Sequence, residues 1–125
     1  MRKIRIAAGL ALVLALAPCG AAAQQKTVRV MVGLAAGGSL DTMTRLFAEA
    51  LRISLGQPVI VENRAGASGL IAIEALKAAP ADGSVLMTAA SGSITLLPNT
   101  FKTPRFDPTR DFLAVAQMAQ ADFVL

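Results

Sequence analysis

The 125-residue chain is 54% apolar and carries 12 Lys and Arg against 8 Asp and Glu, a net charge of +4. That length fits about one domain, and that apolar fraction fits a packed core rather than a disordered chain. It has no histidine and one cysteine, Cys19; this removes the commonest general base, the commonest zinc ligand, every Ser-His triad and any internal disulfide, and so most enzyme classes.

The first 23 residues predict a signal peptide. Arg2, Lys3 and Arg5 form a positive start, residues 6–17 an apolar run broken by Pro18, and Ala21, Ala22 and Ala23 a small-residue cleavage pattern. The run is too short to cross a bilayer, which takes about 20 residues. With the three leader cations set aside, the remainder holds 9 basic and 8 acidic residues. The surplus charge therefore belongs to the leader, and nothing argues for nucleic acid as a partner. Cys19 falls inside the leader; Leu16, Ala17, Pro18 and Cys19 have the outline of a lipobox, with Pro18 where a small residue is wanted.

Past the leader, residues 27–34 are rich in β-branched side chains and predict a strand, covered on both faces around Val30 to Val32. Ala35, Ala36, Gly37, Gly38 and Ser39 form a turn. A helix follows, with Met43, Leu46, Phe47, Ala50, Leu51 and Leu55 as its apolar stripe, Ser39 or Asp41 as its cap, and Gly56 then Pro58 as its stop. Residues 58–62 predict a second strand, 63–69 a glycine loop, 70–79 a second helix, 81–83 a turn and 84–89 a third strand. Residues 90–112 combine a short helical stretch near Ile94 to Leu97 with a proline-rich connection. Residues 113–118 predict a fourth strand, and 123–125 the beginning of another. Such alternation implies an α/β fold with a mostly parallel sheet between helices. A chain ending three residues into a strand leaves unpaired backbone, so a truncated domain is expected.

Four stretches carry a resemblance: VRVMVGLAAGGSLDTMTRLFAEAL, LGQPVIVENRAGASG, ADGSVLMTAASGSITLLPN and FDPTRDFLAVAQM. In this order and spacing the chain resembles the Bug family, the extracytoplasmic solute receptors of tripartite tricarboxylate transporters. The stretch from Gln57 to Arg64, followed by Gly66 and Gly69, is its most diagnostic part. The resemblance implies a periplasmic-binding-protein-like three-layer domain, the first of two that close on a ligand. Residues 24–121 would form that domain, and 122–125 would start the crossing strand to a second. It implies binding without catalysis or cofactor, a small carboxylate ligand, periplasmic location, and membrane transporter subunits as partners. One departure stands in the first loop: Gly33, Leu34 and Ala35 replace the family's Pro-Phe-Pro-like sequence, which loosens the loop and removes an aromatic wall.

The candidate ligand-binding residues lie in two loops. Ala36, Gly37, Gly38 and Ser39 open a helix, whose free N–H groups and dipole suit a carboxylate. Asp41 would repel an anion there, so a capping or ligand-amine role fits it better. Ala90, Ser91, Gly92 and Ser93 follow the third strand, on the edge of an open parallel sheet where ligands bind. A third loop, 65–69, shares that edge; Arg64 beside it is expected to pair with Glu62 or Asp82. Each loop by itself also reads as an ordinary turn. The alternatives are an α/β enzyme or nucleotide binder using the glycine loop as a phosphate cradle, although AAGGSLD fits neither G-x-G-x-x-G nor the P-loop, and a fragment without function.

Overall fold

The computed structural model describes residues 26–103 and 105–120. The predicted leader with Cys19, its cleavage site near Gln24 and the strand start at 123–125 lie outside the described residues.

Three parallel strands form the sheet: β1 (Val28–Val32), β2 (Val59–Asn63) and β3 (Val85–Thr88), in the order β2-β1-β3. Helix α1 (Ser39–Leu55) joins β1 to β2. A single 3-10 turn (Ala67–Gly69) and helix α2 (Leu70–Lys77) join β2 to β3. Two short helices, α3 (Ser91–Thr95) and α4 (Leu97–Thr100), follow β3. The α/β fold expected from the alternation is therefore present.

β1 is the central strand because it is apolar on both faces. Val30, Met31 and Val32 are at most 2% exposed, and each such side chain removed from water contributes about 2 kcal/mol. Register separates the faces. Val32 lies opposite Asn63, which bonds to Asp41 of α1, so the even-numbered side of β1 faces α1. Met31 lies opposite Met87, and Met87, Ile94, Leu97 and Phe112 pack against the core of Leu70, Ile73 and Phe106. The odd-numbered side therefore faces α2, α3 and α4. Gly33 continues that side: a Cβ there would come within 3.0 Å of the Gly69 Cα, so glycine lets α2 close onto the end of β1.

Two sequence expectations need correction. The buried side of α1 is Asp41, Thr44 and Ala48, whereas Leu46 of the predicted stripe is 70% exposed and Leu55 46%. Met43, Leu46 and Phe47 instead line a surface cavity of about 390 Å³ with Ala116, Gln117 and Met118. The helix turns its small and polar side to the sheet, where Asp41 bonds to Asn63 at the end of β2. Residues 113–118 form no strand; Leu113 and Val115 are 89% and 76% exposed. Apolar alternation gives a strand its two faces but not a ladder partner, and none stands beside this segment among the described residues.

Candidate ligand-binding edge

The strand order decides where a ligand could sit. From β1 the chain turns to the α1 face, and from the adjacent β3 it turns to the opposite face, toward α3. In open parallel sheets, ligands bind beyond the carboxyl ends of two neighbours whose connections diverge in this way. The segments at that edge are 33–39, ending on the first residue of α1, and 89–93, running into α3; they contain all the candidates of the first two loops except Asp41.

On the β1 side, Ala36, Gly37, Gly38 and Ser39 are exposed. Gly38, in extended conformation, is the N-cap of α1, and no side chain caps the helix; the expected capping by Ser39 or Asp41 does not occur. The first helical bond runs from the Thr42 N–H to the Gly38 carbonyl at 3.0 Å, so the amides of 39–41 have no carbonyl one turn back. Gly37, at φ +85°, makes the reversal that aims them outward.

Asp41 is buried and faces the protein's own donors. Its Oδ2 accepts the Gly37 N–H at 2.9 Å and the Arg45 Nε–H at 3.0 Å, and its Oδ1 accepts the Asn63 Nδ2–H at 2.9 Å. The bond from Arg45, then those from Gly37 and Asn63, hold this carboxyl well below the usual carboxylate range, and its charge raises the Arg45 guanidinium in return. Asp41 thus ties the first loop to its helix. Asn63 and Arg45 were not singled out in the sequence; the available sign was an amide side chain at the carboxyl end of a strand, within the most diagnostic stretch.

On the β3 side, Ala90 and Ser91 are exposed and Gly92 and Ser93 half-buried. The Ser93 hydroxyl donates to the Ser68 carbonyl at 3.0 Å, which brings the loop at 90–93 onto the loop at 65–69. In the latter, Gly66, Ala67, Ser68 and Gly69 all have positive φ, a run that is strained for its two non-glycine residues. Arg64 pairs with Glu62 at 2.7 Å, one of the two expected partners; Asp82 pairs with Lys26. Among the described residues no group of three or more Asp, Glu, His or Cys could hold a metal ion.

Residues 43–125 match the protein family described as Tripartite tricarboxylate transporter family receptor. The chain belongs to this receptor family. The chain is 38% identical to a UPF0065 protein of Bordetella bronchiseptica over 118 residues, 86% of this chain and 35% of that protein. It thus spans about a third of the length of the curated relatives it matches. Among solved structures it resembles MatC from Rhodopseudomonas palustris with bound malate, at 35% identity and TM-score 0.65, covering 69% of this chain and 29% of that one. It also resembles the periplasmic binding protein BugD, at 35% identity and TM-score 0.64 over 69% of this chain and 28% of that one. A third neighbour, an R. palustris protein with adipate, is 32% identical with TM-score 0.59 over 66% and 28%.

Proposed function

We propose that the receptor chain forms one wall of a cleft that captures a small carboxylate outside the cytoplasm and delivers it to membrane subunits of a tripartite tricarboxylate-type transporter. The observation that carries this reading is the strand order β2-β1-β3, which places two glycine-containing loops beyond the carboxyl ends of β1 and β3, in a family whose solved neighbours include proteins with malate and with adipate. Ala36, Gly37, Gly38 and Ser39 would meet the ligand from one side and Ala90, Ser91, Gly92 and Ser93 from the other, with Asp41 holding the first loop from behind. The ligand is bound and released unchanged, so the role calls for no catalytic residue and no cofactor.

In this reading residues 1–23 direct export to the periplasm, 24–121 form the first of two domains, and 122–125 start the crossing to the second. One wall binds weakly. Two or three hydrogen bonds in competition with water contribute about 1 kcal/mol each, a dissociation constant of about a millimolar or weaker. Tight capture needs the second wall to exclude water. Calorimetric titration of the natural gene product with malate, adipate and ATP tests the proposal. Saturable binding of a dicarboxylate without ATP binding is expected; ATP binding without either acid would favour the phosphate-cradle alternative and end the receptor reading.

A further inference from the structure

We infer that Asn63 is a positioning residue that sets the shape of the first ligand loop. The backbone pairing of β2 with β1 ends at Asn63 opposite Val32, and the Arg64 N–H donates to the Val32 carbonyl at 2.8 Å. The next carbonyl on that side of β1, that of Leu34, lies beyond the ladder. The Asn63 side chain reaches it, its Nδ2 donating at 3.3 Å, and so extends the sheet by one bond past the end of the strand. The same Nδ2 donates to Asp41 Oδ1 at 2.9 Å, and Asn63 Oδ1 accepts the Arg45 Nη2–H at 3.0 Å. The orientation of this amide follows from chemistry. Arg45 can only donate, whereas the Leu34 carbonyl and the ionised Asp41 can only accept.

The consequence is mechanical. Leu34 is held by Asn63, and Gly37 is held by Asp41, which Asn63 also holds. Ala35 and Ala36 are strung between these two fixed points and carry no side chain long enough to anchor themselves. The loop lacks the stiffness that proline confers on a backbone, and the tethers supply stiffness in its place. A donor and an acceptor on one short planar group are required, and aspartate, of the same shape, lacks the donors.

The ligand readout of this inference rests on the receptor reading; the loop readout does not. The test uses the natural gene product with Asn63→Asp, Asn63→Ala and Arg45→Ala, read by amide hydrogen exchange and by titration with malate and adipate. Exchange at the Gly37 amide, the one loop N–H bonded to Asp41, should rise about tenfold in both Asn63 variants, the loss of one to two net hydrogen bonds, while Val30 and Ile73 stay protected. Affinity for whichever acid the native protein binds should fall by a similar factor. The isosteric Asn63→Asp retaining native exchange and affinity overturns the inference, since a space-filling role predicts that outcome. Should the Asn63 variants not fold, Arg45→Ala at an exposed position decides: it should raise exchange at the Gly37 amide, and an unchanged rate there overturns the inference. Failure of the native protein to bind either acid removes the ligand assignment and leaves the exchange result standing.

Discussion

The Ser93 hydroxyl bonds to the Ser68 carbonyl, 25 residues earlier, at 3.0 Å. This contact joins the loop after β3 to the loop before α2, and it holds a carbonyl in a segment whose backbone is already strained. Ser93→Ala should cost at most about 1 kcal/mol, because the bond is exposed to water. Gly66→Ala in the same segment should cost about 1–3 kcal/mol: Gly66 stands at φ +140°, and a Cβ there would also crowd Ile71. Urea midpoints of the two variants check the order, and a Gly66→Ala protein as stable as Ser93→Ala would show that the loop relaxes freely.

Ile73 lies in the core, whereas Leu46 of the apolar stripe expected for α1 does not. Ile73 is fully buried against Leu70 and Phe106, so Ile73→Ala should cost about 2–5 kcal/mol. Leu46, 70% exposed, should tolerate alanine within about 0.5 kcal/mol. Denaturant unfolding of the two variants distinguishes them, and equal losses would return α1 to its predicted orientation.

Gly38 has an extended backbone open to any residue, and a Cβ there would meet only the Ala35 carbonyl, at 3.7 Å. Gly38→Val should therefore fold, losing about 1 kcal/mol for a poor N-cap. It should nonetheless block the exposed amides, weakening dicarboxylate binding at least about tenfold. Native affinity by calorimetry would remove this loop from the site.

The pH dependence of stability should carry the mark of Asp41. Its carboxyl titrates well below the ordinary 3.8 in the folded chain, so the unfolded state takes up the proton first as pH falls. The stability it contributes is complete above that ordinary value and is lost as pH drops from there through the lowered one. Asp41→Asn should flatten the fall in denaturant midpoint below about pH 4. Part of the slope should persist, because Glu49, Asp82, Asp107 and Asp111 are lowered as well, each chiefly by a side-chain hydrogen bond. A variant profile parallel to the native one would contradict the role assigned to the Asp41 network.

Export should remove the leader. Protein recovered from the periplasm is expected to begin near Gln24, by the small-residue rule applied to Ala21, Ala22 and Ala23. N-terminal sequencing checks this, and a retained Met1 or a lipid on Cys19 would contradict it.

The amino-acid sequence determined the elements whose causes are local. β-branched runs placed three strands to within about two residues. Gly56 in the left-handed conformation, its N–H bonded to the Arg52 carbonyl, ended α1 where glycine and Pro58 said it would. Val30 to Val32 announced a strand buried on both sides, and the glycine loops announced where backbone is exposed. Only the tertiary structure decided what depends on neighbours. Periodicity grouped Met43, Leu46 and Phe47 on one side of α1, but which side meets the sheet followed from Asp41, Thr44 and Ala48 fitting against β1 and β2. Alternation at 113–118 described a surface without supplying a ladder partner. The divergence of the connections after β1 and β3 arose from the order β2-β1-β3, and the Asn63 tether from a register that sets residues 31 positions apart side by side. Such contacts are fixed by the packing of whole elements, and no window of sequence contains both partners.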